Sequence, residues 1–178
     1  MPFHILTPDA QYADDGEVER RTAGDACVFD IHRLRDAAKI PADSLAACDA
    51  LLVWHEIQVT PALMARMPRC RVIVRAGAGF DNIDLAAAGA AGIAVANTPD
   101  YGTSEVADHA IALMLSLTRG IARYDETLRA DPIAAFTPTT APLPRRIRGR
   151  RLGIVGLGRI GTATALRAKA FGMEIVAH

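Results

Sequence analysis

The run Gly156-Leu157-Gly158-Arg159-Ile160-Gly161 is where residue types and spacing most directly imply chemistry in this sequence. It follows the apolar run RLGIV, precedes a stretch with helical spacing, and is followed by a second apolar run, EIVA, starting at Glu174. In a strand–turn–helix unit of this kind the first glycine permits a tight turn and the second lets the backbone approach a pyrophosphate. The third lets helix and strand pack closely. The helix N-terminus then offers unpaired amide hydrogens and a positive dipole end to phosphates. Gly156, Gly158 and Gly161 are thus candidate nucleotide-binding residues. An acidic residue contacting the adenosine ribose is expected about 20 positions further on, at 178 or 179, and the chain ends at His178. The choice between NAD and NADP is therefore open.

The second chemical signal is RAGAGFDNID, Arg75 to Asp84, placed at the end of an apolar run. Ligands of open α/β sheets bind outside the carboxyl ends of the strands. Gly77-Ala78-Gly79 could present successive amides to a carboxylate or phosphate, with Arg75 adding charge and a bidentate fork. An ordinary glycine-rich turn beside a surface arginine explains the same residues equally well.

Other reactive residues form no recognisable constellation. His55 precedes Glu56 but no HExxH follows, which removes a zinc-hydrolase reading. Glu105 and His109 stand at helix-surface spacing, and Asp81 and Asp84 are read as caps of the helix that follows them. Cys27, Cys48 and Cys70 are odd in number, widely spaced and make no CxxC, so neither a disulfide framework nor a metal site is expected. RRIRGRR at 145–151 has no aromatic interleaving and reads as a solvated connector, not a nucleic-acid site.

The elements that must position these loops follow from short apolar runs alternating with helical stretches. Strands are expected at Phe3–Leu6, Ala26–Phe29, Ala50–Trp54, Arg71–Arg75 and Ile93–Ala96, with helices at Asp43–Ala47, Pro61–Met67 and Asp84–Ala91. Repeated βα units indicate an α/β fold with a parallel sheet. A long helix is expected from Ser104 to about Arg129, its stripe Val106, Ala110, Leu113, Leu117 and Ile121 facing a core or another subunit. A connector rich in proline and threonine (Pro132, Pro138, Pro142, Pro144) then leads to the strand Leu152–Val155, the helix Ile160–Phe171 and the strand Glu174–Ala177.

Composition narrows the class further. The 178 residues carry 20 basic and 20 acidic side chains, which argues against a nucleic-acid or membrane-surface binder working by bulk charge. The N-terminus has no signal-peptide pattern, and no apolar stretch reaches the roughly 18–20 residues of a membrane span. A cytoplasmic protein is the expectation.

The stretches VRAGAGFDNIDLAAAGAAGIAVANTPDYGTSEVADHAIALML and IRGRRLGIVGLGRIGTATALRAKAFGMEIVAH resemble the D-isomer-specific 2-hydroxyacid dehydrogenase family. RAKAFG and DALLVWHEIQVT resemble the C-terminal-binding-protein, or corepressor-like, branch. The resemblance is strong over residues 49–178 and only one of pattern over 1–48. It implies a flavodoxin-like substrate domain over 1–101 and an incomplete Rossmann NAD-binding domain over 102–178, with a cleft between them. Substrate-cleft positions match His55, Arg75, Gly77, Ala78 and Gly79. Cofactor positions match Ala78, Gly156, Gly158, Arg159, Ile160 and Gly161. The long helix, 104–129, matches the family's dimerisation element.

The resemblance implies NAD-dependent oxidation of the CH–OH group of a small D-2-hydroxy acid, or the reverse reduction of a 2-keto acid, in a cytoplasmic homodimer. The family's catalytic arginine, histidine and carboxylate lie downstream of the glycine motif, and none of His4, His32, His55, His109 and His178 matches the acid/base histidine. The chain is therefore expected to be the N-terminal portion of a longer enzyme and inactive alone. The alternative is an NAD-sensing dimeric interaction scaffold of the corepressor type.

Overall fold

The computed structural model describes residues 2–140 and 146–178; Pro142, Pro144 and Arg145 of the expected connector lie outside them. The chain divides into two units, Met1–Tyr101 and Gly102–His178.

In the first unit the apolar runs become β1 (Phe3–Thr7), β2 (Cys27–Ile31), β3 (Ala50–Val53), β4 (Val72–Arg75) and β5 (Ala94–Asn97). All four pairings are parallel, in the order β2-β1-β3-β4-β5, with Ala50 opposite Val72 and Val53 opposite Arg75. This is the flavodoxin-like order, and its direction of winding reverses between β1 and β3. The α/β expectation holds. The core joins Leu6, Leu51, Val53 and Ile73 of the sheet to Ile57, Leu63, Met67, Ile83 and Ile93. Each such side chain contributes about 1.5–3 kcal/mol by leaving water.

Between the strands lie α1 (Glu17–Ala23), α2 (Ala42–Ala47), α3 (Pro61–Met64) and α4 (Leu85–Ala90). Thr60 caps α3, its hydroxyl accepting from the Leu63 N–H at 3.3 Å, with Pro61 in the first turn. The helix stops at Met64, short of the expected Met67, and Met67 still reaches the core from the following turn. Helix α1 has no buried residue and so carried no apolar period. Its start is fixed by Asp14, which accepts from the Gly16 and Glu17 amides at 2.7 and 2.9 Å.

The second unit contains α5 (Thr103–Arg119), α6 (Ile121–Ala130), β6 (Arg151–Ile154), α7 (Arg159–Ala170) and β7 (Glu174–Ala177), with β6 and β7 parallel. The single helix expected over 104–129 is two helices. Gly120 takes φ +65°, donates its N–H to the Leu117 carbonyl and ends α5 before α6 begins. The expected stripe also differs. Val106, Leu113, Leu117 and Ile121 are exposed in the single chain, Leu117 to 83%. The buried residues of α5 are instead Ala107 and Ile111, and Ile111 with Met114 and Leu115 meets Ala168 of α7, Met173, Leu152 and Ile175. Tight packing against alanines of α7 selects this neighbouring face. Asp108 and Arg167 add an ion pair between α5 and α7.

Candidate functional site

The C-terminal ends of the parallel strands collect the reactive residues of the first unit. The reversal point between β1 and β3 is the place where such sheets ordinarily bind a ligand. Here Asp9 fills it. Its side chain is fully buried, and its carboxylate accepts from the amides of Trp54 at 2.8 Å, Glu56 at 3.0 Å and Ile57 at 3.2 Å. These bonds fix the loop after β3, which carries His55. The loop is held from the other side by Asn82, whose amide nitrogen donates to the carbonyls of Trp54 at 3.2 Å and Ile57 at 2.9 Å.

One strand over, Arg75 closes β4. Its guanidinium folds back over the glycine loop: a Cβ on Gly77 would lie 1.5 Å from Nη1, so a side chain there would displace the guanidinium. Nη1 donates to the Ala76 carbonyl at 3.2 Å, while the buried Nε has no partner among the described residues. A buried donor of this kind costs free energy until an acceptor arrives. The Trp54 indole N–H, at the end of the adjacent strand, is buried and unpartnered in the same way.

The expected row of three loop amides is shortened. The Gly77 N–H is spent on the Arg75 carbonyl at 2.8 Å, because the chain turns sharply as it leaves β4. The amides of Ala78 and Gly79 make no hydrogen bond among the described residues, and both residues are exposed. Asn97 steadies the loop by donating to the Ala78 carbonyl at 2.8 Å. Of the three successive amides expected to face a ligand, that of Gly77 is thus already bonded within the loop. Asp84 caps α4 as expected, accepting from Ala87 N–H at 2.9 Å, whereas Asp81 makes no capping bond.

His55 sits at the same sheet edge, 57% exposed, with Nε2 3.9 Å from Glu56 Oε1. Glu56 also faces Arg35 at 3.7 Å. Tyr12 packs edge-on to Trp54 with ring centroids 6.1 Å apart. Burial, then the Glu19 carboxylate, push the Tyr12 phenol up to about 12, so it stays a hydrogen-bond donor at neutral pH.

In the second unit the glycine turn has the expected construction. Gly156 adopts φ +89°, a conformation that side chains rarely take. A Cβ on Gly161 would lie 2.1 Å from the Gly156 carbonyl oxygen and 3.3 Å from Ile154 Cγ2, so the helix can approach the turn only as glycine. A Cβ on Gly158 meets nothing within 4 Å, leaving open space over that amide. Gly158 is the N-cap of α7 and makes no side-chain cap bond. Gly156 N–H donates to the His178 carbonyl at 2.9 Å, and His178 N–H to Ile154 at 3.0 Å, which ties the turn to the end of β7. Beside it, Ala110, Ile111 and Met114 of α5 and Ile154, Gly156 and Thr164 line a groove of about 440 Å³.

Asp9 and Asn82, which hold the loop of the candidate site, are the residues that sequence reasoning missed. Asp9 directly follows an apolar strand at Pro8, a signal available in the sequence. Asn82 lies inside the RAGAGFDNID motif, and only the fold shows that it clasps the neighbouring loop.

Comparison with known proteins bears on the whole arrangement. The profile of the D-isomer specific 2-hydroxyacid dehydrogenase catalytic domain matches residues 11–176. D-3-phosphoglycerate dehydrogenase of Mycobacterium leprae is 40% identical over 132 residues, covering 73% of this chain and 24% of that protein. Its Mycobacterium tuberculosis counterpart is 39% identical over the same share. The crystal structure of D-lactate dehydrogenase from Aquifex aeolicus, complexed with NAD and lactic acid, has a TM-score of 0.83 at 28% identity and covers 98% of this chain and 50% of that one. An NADPH-dependent glyoxylate/hydroxypyruvate reductase from Sinorhizobium meliloti in complex with citrate gives 0.79 at 34% identity, covering 99% and 54%. The chain spans about a quarter of the length of these curated relatives and about half of these solved structures. The two curated relatives are D-3-phosphoglycerate dehydrogenases, which leaves the corepressor-like branch unconfirmed. On its match over residues 11–176, the chain belongs to the D-isomer specific 2-hydroxyacid dehydrogenase family.

Proposed function

We propose that the protein carrying this chain interconverts a small 2-keto acid and its D-2-hydroxy acid with a nicotinamide dinucleotide. The carrying observation is the buried, unpartnered Nε of Arg75 beside the uncommitted amides of Ala78 and Gly79. A carboxylate fits that donor set, since charge-assisted bonds from a guanidinium fork and two amides satisfy both of its oxygens. Residues 1–101 act as the substrate domain and 102–178 as the first part of the Rossmann domain. Relatives whose names specify lactate and glyoxylate or hydroxypyruvate support a small acid as substrate.

The turn at Gly156–Gly161 fits a dinucleotide pyrophosphate. The contact of Gly161 with Gly156 closes the turn, and the space over Gly158 admits the phosphates. Gly156, Gly158, Arg159, Ile160 and Gly161 would hold that group. Bound there, the cofactor supplies or accepts the hydride. His55 lines the substrate side, and no residue of 1–178 is assigned as the acid/base. NAD is the proposed cofactor, with NADP the alternative named for the Sinorhizobium relative.

The exposed apolar residues Val106, Leu113, Leu117 and Ile121 suit a second copy of the chain, and we assign a homodimer to this face. The same face serves the corepressor-like scaffold reading, which predicts cofactor binding without turnover. Keto-acid reduction by the whole protein, followed at the nicotinamide absorbance, tests the proposal. Arg75→Ala should raise KM for the keto acid at least tenfold with little change in cofactor affinity. Absence of turnover with lactate, glyoxylate, hydroxypyruvate and phosphoglycerate couples would refute the enzyme reading.

A further inference from the structure

Cys48 and Cys70 are far apart in sequence and adjacent in the fold. Cys48 ends α2 just before β3, and Cys70 precedes β4 by the same margin, with Ala50 opposite Val72 in the ladder. The Arg71 N–H donates to the Asp49 carbonyl at 3.0 Å, so the two segments stay joined right up to the cysteines. Neighbouring strands lie about 4.8 Å apart, within the roughly 4.4–6.8 Å between Cα atoms that a disulfide spans. Both cysteines are free, Cys48 is 1% and Cys70 8% exposed, and Cys70 Sγ donates to the Val72 carbonyl at 3.4 Å. The neighbouring Cys70 pushes the Cys48 thiol up, and Cys48 holds the Cys70 thiol below its usual range. The pair is thus polarised into a nucleophile and a proton donor.

We propose that Cys48 and Cys70 form a peroxide-sensitive dithiol that closes to an internal disulfide between the N-terminal ends of β3 and β4. The Cys70 thiolate attacks one oxygen of hydrogen peroxide; the O–O bond breaks and hydroxide leaves, taking up a proton as water. The Cys48 sulfur then attacks the resulting sulfenic acid at Cys70. The S–S bond forms, the S–O bond breaks, and the hydroxyl departs with the Cys48 proton as a second water. Two thiols are oxidised by two electrons, and peroxide is reduced to two waters. Peroxide is small enough to reach Cys70, the more exposed of the pair.

The bridge lies at the opposite sheet edge from Arg75 and Gly77–Gly79, which follow the C-terminal ends of the strands. Oxidation therefore staples the sheet and closes residues 48–70, which hold α3 and the His55 loop, into one ring, while Arg75 and Gly77–Gly79 lie outside it. Cys27, on β2 and half-buried, serves as the internal control.

The test is peroxide treatment of the folded protein, alkylation under denaturing conditions, and peptide mass spectrometry. The expected result is a Cys48–Cys70 link with Cys27 alkylated, a melting temperature raised by several degrees, and reversal by dithiothreitol. Cys48→Ser should leave a dimedone-reactive sulfenic acid at Cys70, and Cys27→Ser should leave the link intact. Recovery of Cys48 and Cys70 as alkylated thiols, oxidation of Cys70 past sulfenic acid without a link, or links confined to Cys27 would overturn the proposal.

Discussion

Replacing Gly161 by alanine should destabilise the second unit, and the same change at Gly89 should stabilise the first. Both glycines lie in helices, α7 and α4, so alanine gains helix propensity of about 1 kcal/mol at each. The surroundings decide the sign. At Gly89 an added Cβ meets nothing within 4 Å, and the gain is kept at roughly 0.4–1 kcal/mol. At Gly161 the Cβ would stand 2.1 Å from a backbone oxygen, which is over an ångström inside contact and cannot be relieved by rotating a side chain. Overpacking of this kind costs about 1–3 kcal/mol, and a backbone obstacle puts it at the top of that range. Subtracting the propensity gain leaves a net loss of about 2 kcal/mol. Urea denaturation followed by circular dichroism, with hydrogen exchange assigning the change to α7, measures both variants. If Gly161→Ala is as stable as the unaltered protein, close approach does not explain that glycine and the geometric case for the turn fails.

Four further outcomes are expected. Asp49 accepts from His4 N–H at 3.0 Å and from Arg69 at 2.9 Å, and these contacts, His4 first, hold its carboxyl below the usual range. A folded pKa below the unfolded one stabilises the protein above about pH 4 and ceases to do so as the pH falls through the folded value. The stability gap between the native chain and Asp49→Asn should therefore shrink in acid; a gap that is constant from pH 7 to pH 2 would refute the assignment. Leu117→Lys places a charge on the exposed apolar face of α5, and light scattering should show the whole protein shifted from dimer to monomer. Thr60→Ala removes the α3 cap and should cost about 1 kcal/mol in denaturant titration. Residues 1–178 alone should show no keto-acid turnover and only weak NAD binding by calorimetry, since β6 and β7 form just a two-stranded sheet.

Local signals were legible in the sequence and non-local ones were not. Strand positions in the first unit, the Thr60-Pro61 start and the glycine turn rest on neighbours in the chain, and the structure reproduces them to within two residues. The break at Gly120 depended on one residue adopting a left-handed conformation that a helical period running through it conceals. Choosing the buried face of α5 required knowing that α7 presents Ala168 to it. Arg75 was visible as a charge after a strand, but its fold-back over Gly77 and its unsatisfied Nε belong to tertiary geometry. The meeting of Cys48 with Cys70 follows only from the pairing of β3 with β4.

The burial of Asp9 against three amides also has a meaning in terms of effective concentration. The carboxylate is a ligand tethered to its own receptor, reaching across 45 to 48 positions of sequence to the loop it orders. Cutting the tether with Asp9→Ala leaves Trp54, Glu56 and Ile57 with converging donors and no acceptor. Formate, the fragment removed, would then have to be supplied from solution at millimolar levels or above to match the lost intramolecular contact. Stability of that variant becomes a function of formate concentration, rising as RT ln(1 + [formate]/Kd). The native chain carries the acceptor within its own sequence, which frees the loop bearing His55 from dependence on any dissolved anion.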